Sequence, residues 1–206
     1  MALLFANNSS LANITALPSS VSGGGLNLIK TQTASASSSI SFVNGVDGVV
    51  LDGTYDEYVF KFINIHPATD SVEFQFNMST DSGSNYNVTK TTTLFTTYHS
   101  EADDATTLQY DDSRDMAQGT GYAILGGNTG NDNDQASSGY LHLFNPSSNV
   151  YVKHFISNFS NSHSGDYTYT NYVAGYGNTT SAINAIDFKM SSGNIDDGII
   201  KLYGVS

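Results

Sequence analysis

From residue 40 onward the apolar side chains recur at every second position, and no window holds a sustained 3.6-residue period. Val72, Phe74, Phe76 and Met78 alternate with Glu73, Gln75 and Asn77, the pattern of a strand with one buried and one wet face. Tyr58, Phe60 and Phe62 interleave with Val59, Lys61 and Ile63, so this strand is apolar on both faces and reads as central. His66, Pro67, Ala68, Thr69 and Asp70 separate the two; Pro67 cannot donate to a ladder, and the pair reads as a hairpin. A second turn at Asp81, Ser82 and Gly83 leads into 88–98, a Thr-rich run whose β-branched residues suit a pleated surface. Further strands are expected over 121–125, 139–144, 150–159, 167–173, 182–190 and 199–203. Short strands at this spacing predict an all-β fold, an antiparallel β-sandwich of jelly-roll type. Residues 102–118 are acidic and weakly apolar, and read as a short helix or a loop over one end of the sandwich.

A composition break sets the domain organisation. Residues 1–46 carry one charged side chain, Lys30, and the acidic remainder begins at Asp47. Leu3, Leu4, Phe5, Leu11, Ile14, Leu17 and Val21 are scattered through the leader, which a Ser-Gly-Gly-Gly hinge at 22–25 then closes. These apolar residues are too few to build a core and would be wasted in a solvated tail, so residues 1–39 are expected to form an extended attachment arm and linker. The tract at 31–39, all Thr, Gln, Ala and Ser, suits a linker or an extended strand with small side chains packed on a neighbour. Residues 40–206 are expected to form the sandwich domain.

Nineteen acids against seven bases give a net charge of -12, which disfavours phosphate backbones and so nucleic acid as a partner. No stretch approaches the run of about 20 apolar residues that a spanning helix needs, so membrane insertion is not expected. The first residues lack a basic n-region and their apolar run ends at Asn7, which argues against a signal peptide. Without cysteine there are neither disulfides nor thiolate metal sites.

Candidate chemistry is sparse. Asp103, Asp104, Asp111, Asp112 and Asp115 crowd one segment, and Asn128, Asn131, Asp132, Asn133 and Asp134 another. Hard oxygens at this density suit Ca²⁺, but the second stretch lacks the loop Gly and distal Glu of an EF-hand, and solvated acidic loops are the commoner outcome. His66, His99, His142, His154 and His163 stand one per segment without metal-ligand spacing, so no metal and no cofactor are assigned. The three glutamates, Glu57, Glu73 and Glu101, give no sign of the paired carboxylates that glycoside hydrolysis requires, and the chain reads as a non-enzyme. Recognition residues are better represented. Tyr167, Tyr169, Tyr172 and Tyr176 follow a turn that contains His163 and Asp166, and planar rings beside polar neighbours suit stacking on sugars. Packing of the same rings between sheets or between subunits is the competing assignment.

The run Thr-Tyr-Asp-Glu-Tyr-Val-Phe-Lys-Phe (54–62), the turn Ser-Thr-Asp-Ser-Gly-Ser-Asn-Tyr (79–86) and the ending Ile-Lys-Leu-Tyr-Gly-Val (200–205) resemble sequences of uncharacterised virion surface proteins of marine tailed bacteriophages. That likeness covers about residues 40–206, through structural rather than catalytic motifs. It implies a virion structural protein at the particle surface, anchored by its arm on other tail or capsid proteins. One form is a tail fibre or receptor-binding appendage meeting host surface polysaccharide; the alternative is a capsid decoration or head-fibre protein that needs no ligand. A glycan-active enzyme is the least favoured form. A homotrimer is implied for either structural role, and a charge-poor Ser/Thr-rich face suits packing on copies of itself.

Overall fold

The computed structural model describes residues 25–206, and all thirteen of its regular elements are strands. The expected arm contacts Leu3, Leu4, Phe5, Leu11, Ile14, Leu17 and Val21 lie outside the described residues. In chain order the strands are β1 (Leu26–Ser37), β2 (Ile40–Val43), β3 (Glu57–Pro67), β4 (Val72–Ser79), β5 (Lys90–Ser100), β6 (Thr106–Tyr110) and β7 (Met116–Gly119). They continue as β8 (Ala123–Thr129), β9 (Ser137–Phe144), β10 (Lys153–His163), β11 (Tyr167–Gly177), β12 (Ala185–Met190) and β13 (Ile195–Val205). Every pairing is antiparallel.

Two four-stranded layers carry the fold. One runs β1-β13-β3-β9 and the other β2-β12-β4-β8. The chain crosses from layer to layer at nearly every step and closes the Greek keys of the expected jelly roll. Two insertions widen the first layer. The β10–β11 hairpin lies between β9 and β12 in sequence, and β5 to β7 between β4 and β8; together they extend the sheet as β9-β10-β11-β5, with β6 and β7 both on the far edge of β5. At one corner a single pair, His163 with Thr129, joins β10 to β8 and makes the whole sheet nearly continuous.

The core lies between the layers and is built on phenylalanine. Phe188 is fully buried, with ring centroids 5.2 Å from Phe60, 5.0 Å from Phe62, 6.0 Å from Phe74 and 6.2 Å from Phe42. Phe76 meets Phe155 edge-on at 4.9 Å, and Phe62 meets Phe159 at 5.0 Å, which ties the inserted hairpin to the same core.

Three expectations change. β3 and β4 are not a hairpin: β3 pairs with β13 and β9, and β4 with β8 and β12. The turn after Pro67 carries the chain across the sandwich, so that Phe62 and Phe74 face one another at 5.3 Å. Residues 26–37, expected within the arm and linker, form β1, paired along its length with β13; its small side chains suit an edge strand, and Ala34 alone of them is buried. Within 102–118 the chain is neither helix nor plain loop but the edge strands β6 and β7 with the turn between them.

Candidate functional site

The two ends of the sandwich differ. Leu26, Val205, Glu57 and Phe144 stand in register across β1, β13, β3 and β9, and mark one end. His163, Tyr167, Ser100 and Thr129 mark the other, where three connections converge: the β10–β11 turn, the β5–β6 turn and the β8–β9 loop. The 11 residues of β11 separate the ends by about 33 Å.

At this far end lies an open polar cleft of about 810 Å³. His163, Asp166 and Tyr167 line it from the β10–β11 turn, Glu101 and Asp103 from the β5–β6 turn, and Asp132, Asp134 and Gln135 from the β8–β9 loop. The turns brace one another, since the Glu101 N–H donates to the Asp166 carbonyl at 2.9 Å. Asp103 and Asp166 both take left-handed backbone conformations, φ 57° and 60°, which Asp tolerates better than most residues. His99 Nε2 lies 2.9 Å from Asp103 Oδ1 at the rim, and His66 Nδ1 holds the Gln135 carbonyl at 2.7 Å. The two acidic clusters of the sequence thus meet in space in part: Asp103 comes from one, Asp132 and Asp134 from the other. Among the described residues, no three His, Asp or Glu side chains are placed to hold a metal ion.

Beside the cleft, Tyr98, His163, Tyr167, Tyr169 and Asn128 line an open depression of about 260 Å³. Tyr98 and Tyr169 stack with an interplanar angle of 6° at 5.9 Å, Tyr167 meets Tyr98 edge-on at 5.3 Å, and His163 lies 5.3 Å from Tyr169. Arg114 Nη1 donates to the Tyr169 hydroxyl at 3.0 Å. His163 Nδ1 accepts from the Gly165 N–H at 2.9 Å, which leaves Nε2 as the protonated nitrogen of the neutral ring. Burial, followed by the Arg114 guanidinium, holds the His163 pKa below its ordinary value.

Of the six sequence candidates, His163, Asp166 and Tyr167 line the cleft. Tyr169 is 7% exposed, in the aromatic box beneath it, so its ring faces are already occupied. Tyr172 and Tyr176 lie elsewhere, because period two sends even-numbered residues of β11 to the outer face. Tyr176 packs with His154 over a shallow apolar depression. Tyr172 belongs to a cross-strand row on the outer face: Tyr140, Asn158, Tyr172, Phe95 and Tyr110 stand opposite one another on β9, β10, β11, β5 and β6. The four rings of that row are 40–49% exposed. Glu101, Gln135, Asn64 and Tyr98 are cleft or box residues without a local sequence signal, since Glu101 and Gln135 come from two different connections and Asn64 and Tyr98 from two strands, β3 and β5.

Compared with known proteins, the chain matches no family model, no curated protein and no solved structure.

Proposed function

We propose that this is a virion structural protein displayed on the particle surface, a tail-fibre or receptor-binding type of appendage that meets host surface glycans through its end cleft. The observation that carries the reading is the polarity of the sandwich. The leader joins β1 at one end, and the cleft opens at the other, about 33 Å away along the strands. An arm docked on tail or capsid proteins at Leu26 therefore presents the cleft outward. The carboxylates and amides of the cleft suit sugar hydroxyls, and the Tyr167 ring suits the C–H face of a pyranose. Five acidic side chains, Glu101, Asp103, Asp132, Asp134 and Asp166, disfavour polyanions, so the glycan is neutral or amino-bearing. The role is binding rather than catalysis.

The capsid-decoration reading draws on a different feature, the exposed row of Tyr140, Tyr172, Phe95 and Tyr110, which suits contact with a further copy in a homotrimer or with a capsomer. A glycan array probed with the full chain, wild type and Tyr167→Ala with Glu101→Gln, tests the primary reading. Binding to a neutral or amino sugar that the double variant loses supports it. Silence across the array, with immunogold label over the head of intact particles, moves the protein to decoration, and the absence of label from any particle ends the virion reading.

A further inference from the structure

A second buried feature, at the opposite end from the cleft, has no part in glycan binding. Lys90 is completely buried, and the ion pairs among the described residues include neither it nor the equally buried Lys153. Lys90 Nζ lies 2.5 Å from Asn77 Oδ1 and 2.8 Å from the Val88 carbonyl. An ammonium without a carboxylate partner is costly in such a place, and burial accordingly lowers the Lys90 pKa to about 7, so that much of the amine is neutral near pH 7. A neutral amine against a carbonyl is a nucleophile facing an electrophile.

The surroundings of Asn77 orient that carbonyl. Its Nδ2 is turned toward three backbone carbonyls, those of Tyr86 at 2.5 Å, Thr120 at 3.0 Å and Gly121 at 3.2 Å. Its Oδ1 faces Lys90 and accepts the Met78 N–H at 2.9 Å. The amide carbon then lies within about 3.7 Å of Nζ, close to the separation at which reacting atoms are poised. Directly across the β4–β12 pair from Asn77 stands Asp187, 2% exposed. Its oxygens accept from the Ser41 hydroxyl at 2.5 Å and the Tyr122 hydroxyl at 2.9 Å, and burial raises its carboxyl pKa.

We propose that Lys90 and Asn77 join in an intramolecular isopeptide bond; Asp187, whose oxygens are taken by Ser41 and Tyr122, stands outside the step. Nζ attacks Asn77 Cγ while the Met78 N–H holds the developing oxyanion. The new Nζ–Cγ bond forms, the Cγ–Nδ2 bond breaks, and the proton lost from Nζ passes to Nδ2, which departs as ammonia. No oxidant, reductant or cofactor enters the balance. The three carbonyls around Nδ2 receive the N–H groups of the leaving nitrogen. The product is an amide in place of an unpaired amine, and it ties the end of β4 to the start of β5 across the loop at 80–89.

Intact-mass spectrometry of the denatured full chain tests this directly. The wild type should run lighter than its sequence by about 17 Da, one ammonia. Trypsin should then leave Lys90 uncut and yield one peptide spanning 62–114 that carries the deficit. Lys90→Met should restore the full mass. An unshifted wild-type mass overturns the proposal. So does a deficit confined to the peptide 31–61, which holds the succinimide-prone Asn44-Gly45 pair, or one that persists in Lys90→Met.

Discussion

Replacing Phe188 by Ala is the sharpest test of how this sandwich is held together. The ring is fully buried on β12, within 5.0–6.5 Å of the rings of Phe42, Phe60, Phe62, Phe74 and Phe76, which come from β2, β3 and β4 and so from both layers. Truncation of a buried Phe costs about 3–5 kcal/mol, and the aromatic pairs lost here, each worth about 0.5–1.5 kcal/mol, place this site at the top of that range. The neighbours are strand residues fixed by ladders on both sides, so they cannot collapse into the void. We expect a loss of about 5 kcal/mol and a fall in melting temperature of about 10–20 °C, read by urea titration and calorimetry. Phe95→Ala, 46% exposed on the outer face, is the control and should cost under about 1 kcal/mol. A loss below about 2 kcal/mol for Phe188→Ala would refute a core shared between the layers, because it would mean the rings pack as separable clusters.

Three further outcomes follow from the geometry. Gly139→Ala places a Cβ 2.3 Å from the Asn158 carbonyl oxygen and 2.7 Å from the Phe159 ring, so it should destabilise by about 1–3 kcal/mol in urea, whereas Gly53→Ala, which meets nothing nearer than 3.6 Å, should not. Asn171→Leu removes the acceptor of the Gly127 N–H at 3.0 Å and of Asn161 Nδ2 at 3.0 Å together with the donor to Thr96 Oγ1, and should cost about 3 kcal/mol in thermal melts. Because His163 holds its proton less tightly folded than unfolded, the unfolded chain binds more protons and stability falls as pH drops through the ordinary histidine range. His163→Gln should flatten that slope between about pH 7 and 5, measured as urea midpoints.

The strands that pack on the core were legible where burial writes period two into them, as from Val72 to Met78. β6 escaped because four of its five residues are exposed, leaving a pattern with nothing to alternate against. β1 was legible only as one of two options for 31–39, since Thr, Ser and Ala satisfy an edge as well as a linker. The β3–β4 turn was visible, but a turn signal says only that the chain reverses. Whether the next strand pairs alongside or crosses the sandwich is decided by Phe62 and Phe74 seeking the same core. The cleft was legible at the β10–β11 turn and in its two acidic clusters taken singly. Their meeting was not, because it depends on insertions that bring 101–103 and 163–167 to the end where the β8–β9 loop, 132–135, lies.

The pairing of β1 with β13 has a mechanical consequence. Tension between a tethered leader and a ligand held in the cleft would pull β1 lengthwise, antiparallel to β13, so their hydrogen bonds would be loaded in shear and share the force instead of unzipping one after another. A domain strung this way withstands a tug along its long axis far better than one peeled from the side.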